Sequence, residues 1–193
     1  MARPKEYNVD YVKQQTMNSF IAKGYSATSL KDLEEATQLG RRSLYNDFGD
    51  KKSMFLGALS DFREYATDAF LKPLYASDAS VESISRVLNT LVETAATPEG
   101  KYGCLMCNTA REPIMADPDI GQIVSRYFDR IQQLLLRVLE NAKSKNELFP
   151  SAKPSSLAHF FLGTIVSVCV LCRSGAPQET LTDIVYEALE RIR

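Results

Sequence analysis

The sequence predicts an all-α fold of about nine helices, and three observations support that prediction. Apolar residues recur every three or four positions in almost every segment, which is the period of an amphipathic helix. No convincing run of alternating apolar and polar residues is bounded by turn residues, so no strand is predicted. Gly or Pro separates several of the periodic segments and marks where helices end.

Of the first four predicted helices, the first three are short and the fourth is long. They are expected over residues 9–23, 30–37, 41–48 and 51–72. Gly24 is predicted to be the left-handed C-cap of the first helix, and Thr28 or Ser29 the N-cap of the second. Asp32 places a carboxylate in the positively charged first turn of that second helix. Asp50 is a suitable N-cap for the long fourth helix.

Five further helices are predicted in the second half of the chain. They are expected near residues 81–92, 104–111, 120–139, 155–172 and 181–192. The eighth helix is apolar on nearly every face, whereas the ninth has a narrow apolar stripe. Together they present more apolar surface than one chain can bury. This pattern predicts a homodimer in which each copy contributes its two C-terminal helices to a four-helix interface.

Composition and charge limit the class of protein. Hydrophobic residues make up 45% and charged residues 24% of the 193 residues, as in soluble globular proteins. The 23 Lys and Arg against 24 Asp and Glu exclude a uniformly basic coat for nucleic-acid binding. The N-terminus lacks the apolar core of a secretory signal, and the apolar stretch at residues 160–172 is shorter than the roughly 20 residues of a membrane span. We therefore expect a cytoplasmic protein with no membrane partner.

Residues 29–48 have the pattern of a helix-turn-helix unit, in which the second helix enters the major groove of DNA. Arg side chains can bond guanine or phosphate, Ser and Asn can bond base edges or backbone, and Tyr can bond a phosphate oxygen. The candidates of these types are Arg41, Arg42, Ser43, Tyr45 and Asn46. Lys51 and Lys52 follow at the start of the fourth helix, where they are expected to place charge and free backbone amides at the DNA backbone. Residues 1–5 form a basic arm that could reach a neighbouring groove or phosphates.

The same region carries a longer pattern of residues. Over roughly residues 9–60 it comprises Phe20, Gly24, Tyr25, Thr28, Ser29, Leu30, Leu33, Ala36, Thr37, Ser43, Leu44, Tyr45, Asn46, Phe48, Gly49, Asp50 and Lys51. This pattern resembles the N-terminal signature of the tetracycline-repressor (TetR/AcrR) family of regulators. The family often has Gly where Gln38 stands and a small residue where Arg42 stands.

The resemblance implies a nine-helix homodimer that binds a double-stranded DNA operator. Residues 1–52 would form the DNA-binding domain, and residues 53–193 a domain that binds a small-molecule inducer and dimerises. It also implies roles for single residues. Thr28 and Ser29 would contact phosphate or a base, residues 41–43 would read bases, and Tyr45 and Lys51 would contact phosphate.

An inducer pocket is expected among the fourth to eighth helices. The candidate lining residues are Phe62, Phe70, Met106, Asn108, Met115, Tyr127 and Phe160. Such a lining would suit a hydrophobic or amphipathic ligand. The alternative interpretation is that these residues are ordinary core, because aromatic and Met side chains on helices usually are.

Two Cys-x-x-Cys pairs, Cys104 with Cys107 and Cys169 with Cys172, fit a zinc site, a redox pair or no chemistry at all. A helix places residues i and i+3 side by side, so the spacing arises without any function. Both pairs lie in helical patterns, so buried structural thiols are favoured and neither a metal nor a cofactor is expected. His159 is interpreted as a core or interface residue.

These observations predict a ligand-responsive transcriptional regulator that is not an enzyme, most simply a repressor released from a palindromic operator by an inducer. One alternative is a regulator that senses oxidants or electrophiles through Cys104 and Cys107. The other is a helical thiol enzyme, which a strand-borne motif or a catalytic triad would have supported.

Overall fold

The computed structural model describes residues 7–98 and 100–192, which contain nine α-helices and no strand. The all-α prediction is therefore confirmed. The helices are α1 (Val9–Ala27), α2 (Leu30–Thr37), α3 (Arg41–Phe48), α4 (Lys51–Ala66), α5 (Val81–Ala95), α6 (Leu105–Thr109), α7 (Pro118–Ser144), α8 (Pro154–Arg173) and α9 (Gln178–Glu190). The basic arm at residues 1–5 lies outside the described residues.

Helix α1 is broken near its end by Gly24. This residue has φ 79° and ψ 172°, and helical residues resume after it as far as Ala27. The positive φ favours glycine at this position, and a Cβ atom there would lie 2.5 Å from Oε1 of Glu112 and would displace that carboxylate.

Helices α2 and α3 have the bounds that the sequence predicts. Ser29, rather than Thr28, is the N-cap of α2: its hydroxyl accepts from the backbone N–H of Asp32, whose carboxylate accepts from the Ser29 N–H in return. Gln38 takes a left-handed conformation with φ 59°, at the position where the family often has Gly. Leu33 and Leu44 are fully buried and hold α2 against α3.

Helix α4 connects the two halves of the molecule. Asp50 caps it, as predicted, by accepting from the Ser53 N–H. Its first half packs on α1 through Phe55, whose ring lies 4.9 Å from the rings of both Phe20 and Tyr25. Beyond Ala66 the chain continues as a π-helical turn (Thr67–Leu71) and a 3₁₀ turn (Lys72–Tyr75) instead of one long helix.

The long helix α7 packs along α8, and α8 also contacts α5, α6 and α9. The apolar stretch at residues 160–172 is part of a longer helix than it alone suggests. α8 has 20 residues and contains an 18-residue window with a mean hydropathy of 1.9, so it is long and apolar enough to cross a membrane by length and composition alone. Helices of soluble bundles can have the same length and composition, and α8 packs against α5, α6, α7 and α9.

Both α8 and α9 leave apolar groups uncovered in the single chain. Phe160 is 41% exposed and Tyr186 60% exposed. Val166 is half-buried on the same helix as Gly163, and a Cβ atom on Gly163 would meet nothing within 4 Å. His159 is exposed in the single chain rather than part of its core.

Candidate nucleic-acid interface and the cavity behind it

Helix α3 presents a row of exposed hydrogen-bond donors on one side and a buried anchor on the other. Arg41, Arg42, Tyr45 and Asn46 are exposed, whereas Leu44 is fully buried. The four exposed positions share one face because residues three and four apart lie together on a helix. The Arg41 guanidinium lies 5.7 Å from the centre of the Tyr45 ring. Ser43, half-buried, lies beside this row.

The remaining predicted contact residues support the shape of the unit. Thr28 is 1% exposed, and its hydroxyl donates to the Gly24 carbonyl at 2.5 Å, so its side chain braces the break in α1. Ser29 is exposed at the start of α2. The Lys51 ammonium lies 4.4 Å from the centre of the Tyr25 ring.

Lys52 has a different role from its neighbour. Its Nζ atom lies 2.8 Å from Oδ2 of Asp117 and 2.8 Å from Oδ2 of Asp119, at the start of α7. Hydrogen bonds to these two carboxylates raise the pKa of Lys52, and the ammonium in turn lowers the pKa of Asp117. Lys52 therefore ties α4 to the C-terminal half, which the sequence analysis missed when it placed this charge at the DNA backbone.

A second tie lies just after the break in α1. The carboxylate of Glu112 accepts from the backbone N–H of Tyr25 and of Ser26, each at 2.9 Å. Glu112 belongs to the loop that follows α6. A charged acceptor thus satisfies two amides that the break at Gly24 removes from the helical ladder.

A third tie lies just before the break. Arg173, the last residue of α8, donates to the carbonyls of Ile21 at 2.8 Å, Ala22 at 3.0 Å and Tyr102 at 2.9 Å. The Asn108 amide also donates to the Ile21 and Tyr102 carbonyls. A guanidinium is well placed here, because the last carbonyls of a helix carry partial negative charge.

We call these ties together the joint. It consists of Lys52 with Asp117 and Asp119, Glu112 with the amides of Tyr25 and Ser26, and Arg173 and Asn108 with the carbonyls of Ile21, Ala22 and Tyr102.

A cavity of about 580 Å³ lies directly behind the joint. Phe62, Phe70 and Tyr127 line it, as the sequence analysis expected. Met106, Asn108, Met115 and Phe160 do not: Met106 is fully buried in the core, Asn108 is part of the joint, Met115 lies in the turn before α7, and Phe160 is exposed on α8.

One wall of the cavity comes from α1, which the sequence analysis did not anticipate. Met17 and Ile21 contribute apolar surface, and the exposed Gln14 and Asn18 border the same space. The cavity is therefore bounded by a helix of the predicted DNA-binding domain itself. In the sequence, Gln14 and Asn18 flank Met17 on the same side of α1 and could have indicated a partly polar cavity wall. Their spacing alone, however, also fits a helix face that is exposed to solvent.

All four cysteines line the cavity, and three of them form a cluster. The Sγ atoms of Cys104, Cys107 and Cys169 lie within 4.8 Å of one another, and all three residues are buried. Hydrogen bonds to Cys104, together with burial, raise the pKa of the Cys107 and Cys169 thiols. The same bonds stabilise a thiolate at Cys104 and lower its pKa. Cys172 also lines the cavity but lies outside this cluster, and its thiol donates to the Gly100 carbonyl at 3.3 Å.

Gly103 is the reason that α6 can approach α8 so closely. It has φ 72°, and a Cβ atom there would lie 2.7 Å from the Cys169 carbonyl oxygen. Any other residue would push Cys104 away from Cys169.

Comparison with known protein families finds two matches along the chain. Residues 14–58 match the family described as "Bacterial regulatory proteins, tetR family". Residues 80–184 match the family described as "Tetracyclin repressor-like, C-terminal domain".

Individual proteins give the same picture. The chain is 28% identical to the HTH-type transcriptional regulator YezE of Bacillus subtilis, over 98% of both chains. It is 27% identical to the HTH-type transcriptional repressor ComR of Escherichia coli, over 97% of this chain and 90% of ComR. Among solved structures, a cysteine mutant of the TetR family transcriptional regulator CifR, complexed with a 26-base-pair operator DNA, has a TM-score of 0.87 at 23% identity, covering 97% of this chain and 98% of that one.

The Glu112 tie can be tested by the substitution Glu112→Ala. We expect the free energy of unfolding to fall by about 1–3 kcal/mol, because two amides lose a charged acceptor. The amides of Tyr25 and Ser26 should also exchange with solvent faster, as measured by hydrogen exchange. Glu93→Ala, an exposed carboxylate on α5, is the matched control and should change little. Equal effects of the two substitutions would contradict the tie.

Proposed function

Because the chain belongs to the tetR family of bacterial regulatory proteins and is a DNA-binding transcriptional regulator, we propose that it is a repressor that a small-molecule inducer releases from a palindromic operator. The observation that most supports induction is the cavity wall formed by α1, since a ligand there would touch the DNA-binding half directly. The repressor role is further supported by the name of the relative ComR.

The proposed DNA contacts lie on the exposed face of α3. Arg41, Arg42, Tyr45 and Asn46 would meet base edges and phosphates in the major groove, with Ser43 beside them. Ser29 and Lys51 would contact the phosphate backbone at the flanks. Thr28 would act through the shape of the α1–α2 turn, because its side chain is buried. The operator complex of the structurally similar CifR supports double-stranded DNA as the partner.

The proposed assembly is a homodimer through α8 and α9. The uncovered apolar surface around Phe160, Val166 and Tyr186 supports a second copy as its cover. Gly163 lies on this surface with open space above it, so a helix of the partner can approach closely. Two-fold symmetry would then place the two α3 helices over two half-sites about one turn of DNA apart.

The proposed switch runs from the cavity through the joint. A ligand between α1, α4 and α8 would favour one of two positions of the DNA-binding half, and the joint would transmit that preference. A coupling free energy of typically 1–3 kcal/mol between ligand binding and DNA binding is enough for regulation. A small movement of α1 can therefore be sufficient. The apolar, aromatic walls favour a hydrophobic or amphipathic ligand.

The cysteine cluster favours a second candidate signal. Hydrogen bonds from Cys107 and Cys169 lower the pKa of the Cys104 thiol, which borders the cavity, so an electrophile or oxidant that enters would meet a nucleophilic sulfur. This candidate keeps the DNA-binding function and changes only the nature of the inducer. Nothing in the described part of the chain favours a thiol enzyme.

The DNA-binding face is tested by Arg42→Ala, with the DNA upstream of the protein's own gene as the probe. If the guanidinium bonds a base, we expect the free energy of DNA binding to weaken by about 1–3 kcal/mol. If it contacts a phosphate, we expect the DNA affinity to depend less steeply on salt concentration. Arg86→Ala, an exposed arginine on α5, is the control and should bind as the unaltered protein does. A gel shift that both variants retain equally would contradict the assignment.

The dimer interface is tested by Gly163→Glu. The added carboxylate would lie within the apolar contact, where burying an unpaired charge is costly. We expect light scattering to show monomers, and operator affinity to fall because two half-sites are no longer bound together. Ser144→Glu, at the exposed end of α7, should remain dimeric. A dimeric Gly163→Glu protein would contradict the interface.

The cavity is tested with N-phenyl-1-naphthylamine, an apolar fluorophore. Ala95 lines the cavity, and Ala95→Phe should fill part of it and weaken fluorophore binding by about tenfold or more, since a filled site rejects a ligand by steric overlap. Ala110→Phe lies outside the cavity and serves as the control. Unchanged binding to Ala95→Phe would show that the fluorophore binds elsewhere.

A further inference from the structure

We propose that Cys104, Cys107 and Cys169 form a binding site for a trivalent, thiol-binding metalloid, of which arsenous acid is the simplest soluble form. The three residues come from both Cys-x-x-Cys pairs, and the fold brings them together from α8 and from the start of α6. The site differs from the two pairs that the spacing alone suggested, because Cys172 is left out.

The geometry fits a three-coordinate centre. A trivalent arsenic atom carries a lone pair and is pyramidal, so three sulfur ligands at about 2.3 Å from it lie about 3.5 Å apart. The three Sγ atoms already lie within 4.8 Å of one another, so small side-chain rotations would close the site. Cys172 is held by the Gly100 carbonyl and is not available as a fourth sulfur ligand in this arrangement. A closed structural zinc site would need that fourth sulfur ligand, whereas a three-coordinate centre does not.

The charge balance selects the trivalent state. Among the described residues, no Lys, Arg, Asp or Glu side chain lines the cavity. The positive charge of Arg111 lies close enough to Cys107 to oppose the rise in the pKa of its thiol, but Arg111 is exposed and does not line the cavity. Three thiolates around a trivalent centre are neutral, whereas a divalent or monovalent ion would leave one or two negative charges buried. Burying such a charge without a partner is unfavourable.

The reaction needs no oxidant or reductant. Arsenous acid, As(OH)₃, reacts with the three thiols to give As(SCys)₃ and three water molecules. Three As–O and three S–H bonds break, and three As–S and three O–H bonds form. The oxidation states do not change, and no net charge enters the protein. The neutral acid can reach the sulfurs because all three border the cavity.

Occupation of the site would act on the joint. It would fix Cys104, at the start of α6, to Cys169 on α8, one turn before Arg173. Arg173 and Asn108 bond the same carbonyls of α1 from these two elements. The consequence for DNA release rests on the proposed function, whereas the binding site itself does not.

Binding is tested with sodium arsenite and the reduced full-length protein. Native mass spectrometry should show one arsenic atom in place of three hydrogens per chain, and thiol titration should find three of the four cysteines protected. Cys104→Ser, Cys107→Ser and Cys169→Ser should each weaken binding by about tenfold or more, because chelation by the third sulfur is lost. Cys172→Ser is the matched control and should bind as the unaltered protein does.

Several results would overturn the proposal. These are unchanged arsenite binding to the Cys169→Ala protein, an equal loss in Cys172→Ser, or tighter binding of Zn²⁺ or Cu⁺ than of arsenite at the same thiols. Circular dichroism of each variant confirms that its helices form.

A gel shift with arsenite then separates the site from the regulatory role. If arsenite releases the unaltered protein from the operator but does not release the Cys169→Ser protein, the result supports both the binding site and its regulatory role. Arsenite binding without release supports the site and contradicts its role as inducer, and a protein that ignores DNA throughout contradicts the proposed function alone.

Discussion

The break in α1 at Gly24 is held from both sides by charged groups of the C-terminal half. Arg173 bonds the carbonyls of Ile21 and Ala22 before the break, and the Glu112 carboxylate takes the amides of Tyr25 and Ser26 after it. Each charged group satisfies backbone groups that an unbroken helix would satisfy internally. The direction in which α2 and α3 leave α1 therefore depends on residues more than eighty positions away in the chain.

Two parts of the cavity wall lie within a few residues of these bonds. Tyr102, whose carbonyl Arg173 also binds, is followed by Gly103 and by Cys104 at the edge of the cavity. Met17 and Ile21 form the opposite wall on α1. A small displacement of α6 or α8 changes the positions of the groups that fix the break, because closely packed helices move as units instead of deforming continuously.

Local structure could be predicted from the sequence, whereas long-range pairing could not. The bounds of α2 and α3, the Asp50 cap and the buried Leu44 follow from capping residues and helical periodicity, which act over a few positions. The role of Lys52 was missed because its partners Asp117 and Asp119 lie far along the chain. The packing of α6 and α8 places Asn108 in the joint and separates Cys172 from the other thiols. No spacing in the sequence encodes that packing.

The central claim is that the joint fixes the orientation of the DNA-binding half relative to the C-terminal half. It is tested most directly by electron spin resonance between labels at Asn46→Cys on α3 and Glu93→Cys on α5, two exposed positions in the same chain. The account predicts one narrow distance distribution in the otherwise unaltered protein, and a clearly broader one when Glu112→Ala and Arg173→Ala are added. Distributions of equal width and mean would contradict it.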